Sequence, residues 1–363
     1  MISSGGVGAL SALDLRRVLA GVAANASPSI SMYEEGLNGG GSPKDLEALF
    51  QLIYLRFTQP RADAQLFEVI RGQTRASLAN QAASPGFAFS EALNEIMTRQ
   101  HPRARSMTPA LLDEMSLDRS LAFYRDRFAD ASDFTFVFVG TIDLAVIRPL
   151  VERYIASLPA TRRGETWKDV GLRAPQGRVI ERRVEQGIEP RSQTQLIFTG
   201  PFEYTQARRT AIRAMAMVLQ TRLRNVLRED LGGTYSVSVG ASYSRIPEPD
   251  YRVTIGFGSD PQRTDTLQDR VLAEIEAFKK DGPSERDVND TREALLREFE
   301  NGTTQNGYLL TQISGRYQSG ESVEQFFALA DTYRALTGRD IHDAARTYLN
   351  TGSYVLATLM PGR

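Results

Sequence analysis

The sequence predicts an α+β fold of two similar domains, each a mostly antiparallel sheet backed by helices. Three observations carry this. A chain of 363 residues is too long for one ordinary hydrophobic core. Segments of strict apolar alternation are mixed with longer segments of three-to-four spacing, so strands and helices occur together. A shift of 221 positions brings the helix cap Ser116 onto Thr337, the helix end Phe128 onto Leu349, and an alternating strand starting at Phe134 onto one starting at Val355.

The elements come in order along the chain. Ser42-Pro43 marks a helix start, and Leu46, Leu49, Phe50, Ile53 and Phe57 share the face of that helix. Helical patterns continue at 66–82, 88–97 and 117–128, the last behind Ser116 as N-cap. In DFTFVFVG, Phe134, Phe136 and Phe138 alternate with Thr135 and Val137, which predicts a well buried strand ended by Gly140. A helix over 144–157 closes the region at Leu158-Pro159. Residues 160–177 are charged, aperiodic and broken by Gly and Pro, so they predict a linker between a domain at 1–159 and a domain at 178–363. Trp167, the single tryptophan, is expected to anchor that linker on a neighbouring domain or to stack on a ligand.

The second domain opens with strands at 178–185 and 193–199 and a long helix at 205–229. Ile212, Met215, Ala216, Leu219, Leu223, Val226 and Leu227 form the stripe of that helix. After the break at Gly232-Gly233, Tyr235, Val237, Val239, Ala241 and Tyr243 line one face of a strand that pairs with the strand YRVTIGFG. Helices at 264–280, 284–299, 306–317, 324–336 and 339–349 and a final strand YVLATLMP complete the chain.

Composition narrows the chemistry. Lys and Arg number 43 against 44 Asp and Glu, which gives no global electrostatic case for nucleic acid. Six arginines between Arg208 and Arg228, with no acid among them, lie on a helix whose apolar stripe makes it a core helix with a solvated or interfacial face. No apolar run is long enough to insert in a membrane, and MISSGGVGAL has neither the basic start nor the apolar core of a signal peptide. Cysteine is absent, and His101 and His342 are the only histidines, so no local zinc motif of the HExxH or cysteine type exists and no metal is expected in this chain. The glycines before Ser42-Pro43 lack the GxxxxGK[ST] pattern of a phosphate loop, and GASYS lacks the GxSxG of a nucleophile elbow.

RLRNVLREDLGGTYSVSV resembles the segment of M16 (pitrilysin-like, insulinase-like) zinc metallopeptidases in which an arginine and a tyrosine seven residues apart come from the half without zinc. GGGSPKDLEALFQLIYLRFTQPR, LDRSLAFYRDRFADASDFTFVFVGTIDLAVIRPLVERYIASLPA, FGSDPQRTDTL and NGYLL look like the second, non-catalytic half of long bacterial peptidases of the PqqL type in that family. The resemblance implies a shell of two halves closing around a peptide. One half, on the same polypeptide, would hold zinc through HxxEH and a distal Glu, and the other would supply shape and the Arg/Tyr pair. Arg228 and Tyr235 match that pair by type and spacing, with hydrogen bonding to the peptide carbonyl or oxyanion as the implied role. On the residues alone, the alternative is Tyr235 as a core tyrosine, sharing its strand face with Val237 and Val239, and Arg228 as a helix-end cap.

HxxEH is absent, so the chain by itself is expected to be inactive and without cofactor, with zinc in the catalytic half. It also reads as starting after the opening strands of its first domain. The resemblance implies a periplasmic setting. The alternative from another class is a non-enzymatic scaffold like the core proteins of respiratory complexes, or a peptide-binding subunit.

Overall fold

A computed structural model describes residues 2–229 and 236–362, with side chains for all of these except 228 and 229. In chain order the helices and strands are α1 (Ala12–Val18), β1 (Ala24–Ile30), β2 (Glu35–Gly41), α2 (Leu46–Thr58), α3 (Ala64–Gln81), α4 (Pro85–Met97), α5 (Pro109–Asp113), α6 (Leu117–Arg127) and α7 (Leu144–Leu150). They continue as β3 (Ile180–Glu185), β4 (Ser192–Pro201), α8 (Gln206–Glu229), β5 (Val237–Ser244), β6 (Asp250–Ser259), α9 (Thr264–Asp281), α10 (Glu285–Thr303), α11 (Asn306–Ser319), α12 (Glu324–Phe327), α13 (Leu329–Arg334), α14 (Gly338–Tyr348) and β7 (Val355–Met360). The fold is α+β with antiparallel-rich sheets. Two compact units are present: Met1–Asn80 with Met107–Lys168, and Gln81–Ser106 with Asp169–Arg363.

In the first unit β1 and β2 form an antiparallel hairpin in which Ala24 faces Gly41 and Ile30 faces Glu35. Its glycine-rich second strand has no strand propensity, which is why the sequence reading passed over it. Gly39 is there because a Cβ would sit 2.4 Å from the Asn25 carbonyl oxygen. The apolar face of α2 (Leu49, Leu52, Ile53, Phe57) packs with Ala24 and Ala26 of the hairpin and with Tyr124 and Phe128 at the end of α6. The expected strand at 134–139 requires a correction: among the described residues it joins no ladder, and Phe134, Phe136 and Phe138 are only half-buried. Alternation fixes which way side chains point, and all three rings do reach this core, but a strand also needs a partner edge.

The second unit is built on a five-stranded sheet of order β3-β7-β4-β6-β5, antiparallel except for the parallel pair β3-β7. Leu196 and Phe198 of β4 and Val253, Ile255 and Phe257 of β6 meet the stripe of α8, with Phe278 of α9 and Ile341 of α14 in the same core. Ile197, Val355 and Ala357 point to the opposite face, where Phe89, Leu93 and Met97 of α4 cover them. Helices on both faces explain why β4 buries three consecutive apolar residues, Leu196, Ile197 and Phe198, rather than alternating there. Residues 81–106 therefore belong with this unit, which a division into consecutive stretches of sequence does not foresee.

The segment expected as a linker is tied down along its length. Thr161 and Arg163 donate their backbone N–H groups to the buried Asp130 carboxylate at 2.9 and 2.6 Å. Further on, Pro175 accepts from Thr199 at 2.7 Å and Gly177 donates to Ser353 at 2.8 Å. Trp167 falls in the first unit, 42% exposed, with its ring edge-on to Tyr33, a residue of the domain expected at 1–159, so this part of the segment is anchored on that domain.

Candidate functional site

Tyr235 lies outside the described residues, and for Arg228 only the backbone, in the last turn of α8, is described. What the structure provides is the frame that carries them. Leu219, Leu223 and Leu227 of α8 are fully buried at four-residue spacing, which fixes the rotation of the helix up to the residue before Arg228. Further along the chain, Val237, Val239 and Ala241 of β5 pack on the same core. One side chain joins the two elements directly: Gln220 Oε1 accepts the Val239 N–H at 3.0 Å. Since β5 is the outer strand of its sheet, that N–H has no strand neighbour to bond, and Gln220 satisfies it. The sequence reading missed Gln220; a lone glutamine between the apolar rows of a helix gives no signal until the strand edge beside it is known.

Four of the six arginines of α8 are held by acids from outside the helix. Arg208 pairs with Glu203, Arg209 with Glu321 through both nitrogens at 2.8 and 2.6 Å, Arg213 with Glu298, and Arg222 with Glu274 at 2.6 Å. Arg222 also donates to the Gly282 carbonyl and lies over the Phe278 ring, fixing α8 to α9. These four charges are neutralised within the chain, as on a helix packed in an interior.

For metal chemistry the donors are poor. His101 bonds the Val170 carbonyl at 2.9 Å and accepts from Arg103 N, and His342 bonds the Lys279 carbonyl at 2.8 Å. Both rings are used locally. Among the described residues one carboxylate cluster has ligand-like spacing: Glu35, Asp133 and Glu165 in the first unit. Burial pushes the Glu35 and Asp133 carboxyls above their ordinary range. Two arginines already share the cluster, Arg127 at 3.0 Å and Arg163 at 2.6 Å from Glu165, so the charge a cation would supply is present. The residues are too far apart in sequence for any motif to announce them. Nothing in this donor set fits the His-rich tetrahedral site that zinc takes in peptidases.

Residues 114–295 match the model of the peptidase M16 inactive domain. Among curated proteins, the chain is 25% identical over 291 residues to a zinc protease PQQL-like protein of Arabidopsis thaliana, covering 76% of this chain and 30% of that protein. It is 24% identical over 308 residues to a probable zinc protease PqqL of Haemophilus influenzae, covering 83% of this chain and 32% of that protein. The chain thus spans about a third of the length of these relatives. Among solved structures, the periplasmic protease PqqL of Escherichia coli superposes with a TM-score of 0.85 at 21% identity, over 99% of this chain and 40% of that one. The M16 inactive domain from Pseudomonas fluorescens gives 0.80 at 16% identity, over 100% and 86%. The ferredoxin protease FusC, solved as its E83A mutant with Arabidopsis ferredoxin, gives 0.84 at 17% identity, over 100% and 39%. No helix among the described residues is long and apolar enough to cross a membrane. With the match to the inactive-domain model spanning half its length and the HxxEH motif absent, the chain belongs to the M16 peptidase family as a non-catalytic half of the PqqL type.

Proposed function

We propose that this chain completes the substrate chamber of a zinc-dependent M16 peptidase, and that Arg228 and Tyr235 bind the peptide carbonyl and the oxyanion that forms from it. Zinc, with the activated water it provides, belongs in this reading to a catalytic half on the same polypeptide, because the donors of this chain do not suit it. A peptide is the partner, and the periplasm of the Escherichia coli relative is the proposed setting.

The observation that supports the reading is the clamp between α8 and β5. The seven-position interval from Arg228 to Tyr235 starts on a helix whose rotation is set by its leucines and ends two residues before a strand whose third residue is bonded to that helix. The elements at both ends of the interval are thus tied to one core. That is what an oxyanion site needs, since preorganised donors cost no reorganisation as charge develops. A guanidinium and a phenol both donate hydrogen bonds, as an oxyanion site requires.

The test is steady-state peptide cleavage by the full polypeptide. Tyr235→Phe is expected to lower kcat by about 10²–10³-fold with KM little changed, the usual cost of one oxyanion donor. Arg228→Ala is expected to be at least as damaging. Unaltered kcat in both variants overturns the reading and leaves the fold serving as a scaffold.

A further inference from the structure

A cleft of about 380 Å³ lies wholly within the second unit, between the end of α4, the segment 173–178 and the turn joining β5 to β6. Arg99, Arg173 and Arg178 line it, with Glu248 as the one lining carboxylate. Arg173 is fixed, donating to Asp169 at 3.0 Å and lying 2.5 Å from Glu248 through Nε. The side chains of Arg99 and Arg178 have no ion pair or hydrogen bond among the described residues, in a chain where acids slightly outnumber bases.

The backbone beneath Arg99 is unusual. Helix α4 ends in a complete Schellman motif, with Arg99 N–H bonded to Ile96 O at 3.2 Å and Gln100 N–H to Glu95 O at 3.0 Å. Arg99 and Gln100 both take left-handed conformations, at φ +52 and +56, and the first of these positions is where glycine is the ordinary residue. A long cation occupies it instead, and that cation opens on the cleft. The opposite wall is equally fixed, since Pro175 and Gly177 are bonded to Thr199 and Ser353. Three guanidiniums thus converge on one space from rigid supports.

We propose that this cleft binds a multiply charged oxyanion, phosphate or carboxylate in chemistry. Arg99 and Arg178 would take its oxygens through their planar forks, while Arg173, held by its two carboxylates, closes the third side. Glu248 limits the site to ligands that present their charge toward the arginines. The cleft lies at the end of β5 remote from Val237, eight residues or about 25 Å away, so the inference is independent of the role proposed for Arg228 and Tyr235.

The test is calorimetric titration of the full chain at low salt with pyrophosphate and, separately, with a glutamate-rich octapeptide. Saturable binding of at least one is expected, weakened by added salt and reduced tenfold or more in Arg99→Gly with Arg178→Gln. Arg99→Gly is expected to leave Tm unchanged or raise it, because it removes the strained backbone, and Arg178→Gln alone, at an exposed position, is expected to lower affinity without touching the fold. Binding of the peptide in competition with pyrophosphate identifies a peptide as the source of the oxyanion, and binding of pyrophosphate alone identifies a free anion. Absence of saturable binding by either probe, or equal affinity in wild type and double variant, overturns the proposal.

Discussion

The helices α6 and α14 stand 221 positions apart and match at both ends, with N-caps Ser116 and Thr337 and C-caps Phe128 and Leu349. The segments C-terminal to them differ. Val355–Met360 becomes a strand bonded on both sides, to β3 and β4, whereas 134–139 joins no ladder among the described residues and is held through its rings instead. Phe57, Phe128 and Phe134 interlock there at centroid distances of 4.9–5.5 Å. The first unit relies on aromatic contacts and on polar anchors, above all Asp130, which accepts from Ser132, Thr161 and Arg163. The second relies on a large apolar core closed over both faces of a sheet. Equivalent helices do not fix equivalent sheets, because a helix satisfies its own backbone and a strand cannot.

The comparison breaks most directly at Phe278, fully buried against α8. Phe278→Ala is expected to destabilise the second unit by about 3–5 kcal/mol. Far-UV circular dichroism should register the loss, while the fluorescence of Trp167, which reports on the first unit alone, should shift less. Equal shifts of both probes would show one cooperative core rather than two.

Asp130 offers the reciprocal experiment. Hydrogen bonds, first of all from Ser132, hold its carboxyl far below the usual carboxylate range. A depressed folded-state value means that the stabilising contribution is complete above the unfolded value of about 3.9 and is lost as pH falls through the folded one. The Glu35 and Asp133 carboxyls are raised by burial, so their contribution runs the other way and grows as pH falls. Denaturant titrations followed by Trp167 fluorescence should show Asp130→Asn losing stability at neutral pH and responding less to acid below about pH 4 than the wild type does.

Two smaller effects sharpen the comparison. Thr337→Ala and Ser116→Ala should each cost about 0.5–2 kcal/mol, with Thr337 the larger of the two. Asp340 returns a bond to the Thr337 backbone at 2.9 Å, whereas the corresponding third residue of α6 is Arg119, which cannot. Gln220→Ala removes one hydrogen bond and should cost about 1 kcal/mol, seen as faster amide exchange at Val239 before any change in overall stability.

Much of this was legible beforehand because its causes are local. Caps, three-to-four stripes and period-two alternation are written in neighbouring residues, so α2, α6, α8 and α14 and the strands of the second unit followed from the sequence, as did the family resemblance carried by ordered short motifs; the break expected at Gly232-Gly233 lies outside the described residues. The β1-β2 hairpin did not, since its glycines are chosen for close backbone approach and not for propensity. Nor did the grouping of α4 with a sheet that starts some 80 residues later, the unpaired segment at 134–139, the Gln220 link, the Asp130 anchor or the cleft formed by Arg99, Arg173 and Arg178. Each depends on which partner arrives from a distant part of the chain. Hydrogen bonds and ion pairs between such partners are decided by packing of whole elements, and only the tertiary structure records that.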